Sequence, residues 1–319
     1  MATANTGNNP YETELLTMQF TTRLDLLLQQ KMSIIRGRCD GGNHVGRAAS
    51  PVQQIGVLNY RQPAGRYSPL VPTIPQYTRR WVFPNDRDLT VLVDQFDELR
   101  TIVDPKGGIT EAAAAAANRY FDDLLINAAN GTAQTGVDAA TLTAESFNST
   151  VSTSGGALVA DTFGASSSTG MTYPKLVEGW RVMRHAQVDL MAERPVVLIG
   201  SQQESDLKKQ QEIINRDYGG SLTVQDGTIT RIAGFDVEVS ERLNSSSSNT
   251  LRNCLGWVRS GLYLGMWRDV NTKVSQRTDL TSHPWQLYSM ISAGATRTQL
   301  FKVIQINCAD TSGFDPTAP

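Results

Sequence analysis

Residues 51–84 hold two strand-like runs, 52–59 and 77–83, rich in Val, Ile, Tyr and Trp. Between them stand Pro63, Pro69, Pro72 and Pro75. Proline donates no backbone hydrogen bond, so this middle cannot be a central strand of any sheet. The pattern predicts a long two-stranded arm with an irregular tip. A ribbon of two strands is marginal in water, and no helical pattern follows at once to cover it. A chain built this way needs a surface for its arm, in its own fold or on another subunit.

The flanking segments supply a mixed architecture. Residues 11–36 read as an amphipathic helix, with Leu16, Phe20, Leu24, Leu27 and Leu28 at helical spacing and Gly37 ending the pattern. This helix precedes any core segment, so its stripe packs on something distant in sequence or on another subunit. Residues 37–50, with Gly41, Gly42 and Gly46, read as a turn-rich linker. After the arm come a strand at 89–93 and a turn at 104–108 (Asp-Pro-Lys-Gly-Gly). Thr110 then suits a helix N-cap and Glu111 a first helical turn. The alanines 112–117 open a long spine helix to about 129, with a smooth side that lets another backbone come close.

Residues 131–171 shift to Ser, Thr, Gly and Ala, which fits a flexible insertion or a small surface β-element. From 174 the texture is α/β. A helix over 174–190 turns Leu176, Trp180, Met183 and Val188 inward, 195–199 is a buried strand, and Ser201 caps a helix over 202–215. Strands follow at 221–224, 228–232 and 236–240, with turns at Asp226-Gly227 and Ala233-Gly234, and then an exposed loop at 245–248. Further strand-like runs stand at 255–259, 262–267, 270–276 and 299–307. The class is α+β.

Length and composition narrow the function. A chain of 319 residues makes one to two compact domains. A net charge of −2 carries no signature of a nucleic-acid binder. Cys39, Cys254 and Cys308 are too scattered for a disulfide framework or a zinc site. The first ten residues are polar, unlike a signal peptide, and no apolar run nears the roughly 20 residues that span a bilayer. The expectation is synthesis in the cytoplasm with no membrane partner.

No catalytic constellation emerges. His44, His185 and His283 have no partner at metal-ligand spacing, and the chain holds no P-loop, dinucleotide fingerprint or nucleophile elbow. Asp122-Asp123 and the carboxylates Asp94, Asp97, Glu98 and Asp104 read as solvated or ion-paired rather than as an acid–base pair. No enzyme activity, metal or cofactor is expected. One asymmetry is informative. From 31 to 80 the chain carries Lys31 and seven arginines against Asp40 alone, whereas 86–104 carries six carboxylates against Arg87 and Arg100. If the arm extends away from its own subunit, its arginines need carboxylates elsewhere, in contacts that set register more than raw affinity.

The order of parts resembles the Hong Kong 97-type major capsid proteins of tailed double-stranded DNA bacteriophages. A helical N-terminal arm leads, an extended loop, an Ala-rich spine helix and an α/β domain follow, and strands return at the end. The run 230–240 (Thr-Arg-Ile-Ala-Gly-Phe-Asp-Val-Glu-Val-Ser) looks like the family's "I-x-G-x-x-V-x-x-S" strand pair. Residues 195–200 before a polar helix look like the central strand of its axial domain, and 291–297 look like its C-terminal run. The resemblance spans most of the chain apart from 131–171.

The resemblance implies an N-terminal arm at 1–50, an E-loop at 51–84 and a peripheral domain with spine helix at 85–131. It further implies an insertion at 132–171, an axial domain at 172–254 and a peripheral return at 255–319. The shell would be an icosahedron of hexamers and pentamers enclosing dsDNA without sequence-specific contacts, with each E-loop lying on the adjacent subunit. The expected intersubunit contacts are Arg61, Arg66, Arg79 and Arg80 facing Asp94, Asp97 and Glu98 of a neighbour. Further partners would be a separate scaffolding protein, a portal protein and, at 132–171, a decoration protein. Two departures from the family matter. Residues 51–84 hold no lysine, so the isopeptide cross-link of some members has no nucleophile there. The amphipathic segment also begins within the first 15 residues, so no cleaved scaffolding segment is expected ahead of it. Competing readings are an encapsulin-type compartment, which would package protein, a tail or adhesin protein, which would form trimers or tubes, and an α/β enzyme built on 172–254.

Overall fold

The computed structural model describes residues 29–62, 64–94, 105–138, 141–210, 224–225, 228–245, 250–281 and 283–310. Its centre is strand β8 (Pro195–Ile199), all five residues of which are buried. A continuous Val-Val-Leu-Ile run with no polar face needs cover on both sides. It lies inside a mixed six-stranded sheet that also holds β7 (Leu158–Val159), β11 (Arg231–Ile232), β12 (Phe235–Val239), β13 (Leu251–Val258) and β16 (Val303–Ala309). The order is β11-β12-β8-β13-β16-β7, with β12 parallel to β8 and β13 antiparallel to both β8 and β16. The β11–β12 turn sits at Ala233-Gly234, both with positive φ, which glycine tolerates at the second position.

Helix α2 (Tyr173–His185) covers this sheet with Leu176 and Met183 fully buried. Gly179 sets the approach, because a Cβ there would meet Ile304 Cδ1 at 2.6 Å. On the same helix Arg181 grips Glu178 (2.6 and 2.7 Å), which holds that carboxyl below its ordinary value despite burial. Helix α3 (Ser201–Lys208) follows β8, but Ser201 is not its cap. The N-cap is Gly200, and the Ser201 amide donates to the Glu241 carboxylate at 2.5 Å. A carboxylate from outside the helix thus does what the serine hydroxyl was expected to do.

A second sheet runs β1 (Asp40–Asn43), β14 (Leu262–Gln276), β15 (Trp285–Arg297), β4 (Asn85–Val93). Two expectations fail here. Residues 40–43 are a strand parallel to β14, not linker, because the Gly41-Gly42 pair lets the chain close on Leu264 and Tyr263. Strand β15 is unforeseen as an element, and the two runs 262–267 and 270–276 are one strand with irregularities at Met266, Arg268 and Asn271.

Helix α1 (Pro105–Asn130) packs on β15 and β14. It is about 39 Å long at about 1.5 Å per residue. Residues 105–108 of the expected turn lie inside its start (residue 104 is outside the described residues), and Thr110 is a helical residue rather than a cap. Proline suits a first helical position because its missing N–H has no partner there anyway. Gly107 and Gly108 are then carried within the helix at a cost of about 1 kcal/mol each.

The third sheet, β2 (Ala49–Ile55), β3 (Tyr77–Val82), β5 (Ala133–Thr135), β6 (Thr143–Glu145), is the root of the arm. The segment 131–171 is therefore woven into the fold. It gives β5 and β6 to this sheet and β7 to the large one, with Ala133, Ala157, Val159 and Met171 buried. At the N-terminus, residues 11–28 of the expected helix lie outside the described residues. Residues 29–35 are irregular, and 36–38 form a 3₁₀ turn, so the helix does not reach 36.

Two buried ions fasten these layers. Asp122 on α1, fully buried, accepts from the Ile34 and Ile35 amides (3.1 and 3.2 Å), Ser33 Oγ and Gln30 Nε2 (both 2.5 Å). The pair was expected to be solvated or ion-paired; Asp123 does pair with Arg242, whereas Asp122 is buried on neutral donors. Arg297 at the end of β15 is 1% exposed. It donates to the carbonyls of Ala129 (2.8 Å), Gly131 (3.0 Å) and Glu145 (3.1 Å). Burial, then the nearby Arg80, pushes its guanidinium down to about 10, so it stays cationic at neutral pH.

Arg297→Leu leaves those carbonyls without a donor, and at about 1–3 kcal/mol per orphaned group the loss should reach about 3 kcal/mol or more in a urea titration. Glu178→Gln should show a different pH profile. A depressed carboxyl stabilises the fold above its unfolded pKa and loses that contribution as pH falls through the folded one. The variant should melt below the parent at pH 7, and the gap should close in acid.

Candidate assembly surface

The arm is well held at its base. Val52 pairs with Arg80, Gln53 with Arg79, Gln54 with Thr78 and Ile55 with Tyr77. Trp81 Nε1 donates to the Gly136 carbonyl (3.1 Å), and Gln54 Nε2 to that of Thr298 (2.8 Å). The Gly56 amide adds one rung to Gln76 O at 2.7 Å. Beyond that rung the described residues form neither helix nor strand, in keeping with the prolines. The Ser68 amide reaches back to Gly65 O (3.3 Å), and Tyr67 takes the left-handed conformation (φ 61°) at this tip.

The arm's side chains are what set it apart. Nine large apolar residues between 55 and 77 are exposed, among them Val57, Tyr60, Tyr67, Leu70 and Ile74. Tyr60, Tyr67 and Leu70 are each 95% exposed or more, so none of them is buried against the described residues of its own chain. Single exposed leucines need no explanation, but a continuous apolar surface marks a contact site. Covering one such side chain is worth about 1.5–3 kcal/mol.

The arginines divide into two groups. Arg61 and Arg66 are exposed near the tip, and Arg79 is half-buried, donating to the Val137 carbonyl at 3.4 Å. Arg80 departs from expectation. It is 8% exposed and forms an ion pair with Glu145 of β6 in its own chain. Its side chain faces the β3–β5–β6 root, where burial lowers its pKa. Asp94 is half-buried just past β4. Asp97 and Glu98 lie outside the described residues.

Glu145 and Arg297 were both missed as functional positions. Glu145 sits in a Ser/Thr-rich stretch that hid its strand. Arg297 ends a strand in which Leu287, Ser289, Ile291 and Ala293 are buried at a period of two. That alternation ending on a cation was the available signal, diluted by small residues.

Other candidate sites hold little chemistry. A cavity of about 560 Å³ is lined by Asp123, Asn127, Arg242 and Asn244, and Arg242 Nε already donates to Asp123 (2.6 Å). His44 packs against Trp267 and meets the Tyr263 hydroxyl at 2.8 Å. The three cysteines are buried and free, and burial pushes the Cys39 thiol up to about 12. Among the described residues no three His, Cys, Asp or Glu side chains group as a metal site, and no helix is long and apolar enough to cross a membrane.

Comparison with known proteins agrees with this geometry. The family described as phage capsid protein matches residues 13–310. The capsid structure of cyanophage P-SCSP1u superposes with a TM-score of 0.71 at 14% identity, covering 94% of each chain. The capsid protein of cyanophage Pam1 gives 0.69 at 12%, covering 94% of this chain and 98% of that one. That of Ralstonia phage GP4 gives 0.66 at 12%, covering 99% and 100%. At such identities the likeness is one of fold, the Hong Kong 97-type fold. A search of the curated proteins finds no match.

If the arm contributes nothing to its own subunit, changing Tyr60, Tyr67 and Leu70 together to Ser should leave the denaturation midpoint of the isolated subunit within about 0.5 kcal/mol of the parent.

Proposed function

The chain belongs to the phage capsid protein family, and from that premise we propose that it builds an icosahedral head of hexamers and pentamers around double-stranded DNA. The observation that carries this reading is the arm: an apolar ribbon, rigid at its root, exposed along its length, with cationic residues at its tip. Hydrophobic surface gives the contact its strength, and the arginines give it register. Interfaces of roughly 2,000–5,000 Å² distribute load so that no single contact need be strong. With no lysine in 51–84, interlacing takes the place of a covalent link.

In this reading 1–50 is the N-terminal arm, 51–84 the E-loop, 172–254 the axial domain, and 85–131 with 255–319 the peripheral domain. The Asp122 clip fixes where the N-terminal arm leaves the subunit. Arg61, Arg66 and Arg79 meet carboxylates of a neighbour, with Asp94, Asp97 and Glu98 as candidates. Arg80 has a different task, since its partner Glu145 ties the E-loop to its own root. A scaffolding protein and a portal complete assembly in the host cytoplasm. A decoration protein at 132–171 would be confined to exposed loops such as 165–168, because the strands of that segment are built into two sheets. A net charge of −2 suits a wall that holds DNA without strong phosphate contacts.

Electron microscopy of the chain co-expressed with its neighbouring genes tests this reading. Closed shells containing DNA after packaging are the expected result; tubes, trimers or protein-filled shells would contradict it. Arg61→Glu with Arg66→Glu should abolish shells while the subunit stays folded. Arg80→Glu should instead lower the stability of the isolated subunit, because it places two carboxylates together at the root.

A further inference from the structure

The cavity of about 560 Å³ lies between helix α1 and the turn that follows β12, and it is large enough for a short peptide segment. Asp123, Asn127, Arg242 and Asn244 wall it, and Ile126 and Leu243, each 1% exposed, form its floor. Arg242 directs Nε and Nη2 to Asp123 (2.6 and 2.5 Å), and its Nη1 has no partner among the described residues. Asn244 Nδ2 donates to Asn127 Oδ1 at 3.3 Å. That leaves Asn127 Nδ2 as a donor and Asn244 Oδ1 as an acceptor, the pair that one peptide unit needs.

We propose that residues 311–319 of the same chain fold back into this cavity, with Phe314 on the Ile126–Leu243 floor and Asp315 on Arg242. These residues lie outside the described ones and beyond the 13–310 matched by the capsid family. The point at which the chain leaves selects the occupant. Asp310 is 7% exposed and pairs with Arg252 at 2.9 Å. The same guanidinium donates from Nη1 to the Leu243 carbonyl at 3.2 Å. One arginine side chain thus separates the exit point from the cavity floor. At roughly 3.3–3.6 Å per residue, residues 311–314 span up to about 14 Å, enough to bring Phe314 there. The segment's chemistry matches the site. Thr-Ser-Gly-Phe-Asp-Pro-Thr-Ala-Pro is a composition that stays in water, apart from Phe314, its one aromatic. Such a ring has about 150–250 Å² to bury. Asp315 beside it is the segment's one charged side chain, opposite in sign to the guanidinium it would meet. The tether raises the local concentration to about the millimolar range, so modest contacts suffice. Docked there, the segment ties α1 to the large sheet alongside the Asp123–Arg242 pair.

The test places Asn127→Cys in the cavity and Pro316→Cys in the segment, in the full chain at high dilution, treated with copper phenanthroline. The three native cysteines are buried, so background linkage is low. The expected result is a bond within one chain, seen as a faster-running monomer on a non-reducing gel and as one joined peptide pair by mass spectrometry. Neither single-cysteine variant should give it. Adding Phe314→Ser and Asp315→Asn to the double-cysteine chain should slow linkage about tenfold or more, because the anchors are gone while the tether remains. Linkage at an unchanged rate would overturn the inference, since the segment would then merely pass nearby. A folded chain that forms no bond would overturn it too, and bonds only between chains would give the cavity to a second copy instead.

Discussion

Arg297 ties together three parts of the fold that also meet by packing. It stands at the end of β15 and donates to carbonyls at the end of helix α1, just past it, and in strand β6. The last carbonyls of a helix have no internal partners and carry the negative end of its dipole, so a cation there meets both needs at once. The third bond carries the contact into the sheet at the base of the arm, where Arg80 and Glu145 pair. A buried guanidinium is costly when unpaired and directional when its donors are used. The spine helix, the long strand and the arm are thereby set at a fixed angle.

That rigidity matters because the arm is apolar and unsupported beyond its root. A flexible apolar ribbon would collapse onto its own subunit and would lose ordering entropy on binding a neighbour. The prolines stiffen it, since each fixes φ and keeps the chain extended. They also prevent the middle of the arm from forming a regular sheet that would aggregate edge to edge. The result is a pre-extended surface whose burial is deferred to assembly. The Asp122 clip does the same for the chain entering from the N-terminus, using backbone amides rather than a cation as its donors.

How much of this the sequence revealed follows from signal strength. The arm was legible because prolines and β-branched residues mark it strongly, and 195–199 because five consecutive apolar residues admit few readings. Helix α1 was legible in its alanines but not in its start, where Asp-Pro-Lys-Gly-Gly reads as a turn and a proline is equally suited to open a helix. Strand β15 was missed because Ser, Ala and Gly weaken its alternation. The composition of 131–171 is open between a flexible insertion and a small surface β-element; the short strands answer to the second, but composition does not show that they pair with distant partners in two sheets. Arg80 looked like its neighbours in the arm; only the fold shows that its side chain turns inward to Glu145.

Hydrogen exchange of the arm amides in the free subunit and in the assembled shell tests the central claim most directly. Residues 57–75 lack ladder partners in the subunit, apart from the single Ser68–Gly65 bond among those described, so their amides should exchange quickly there. Burial against a neighbour should slow them strongly in the shell, while β8 stays protected in both. Equally fast exchange of the arm in both states would show that nothing covers it, and would contradict the account.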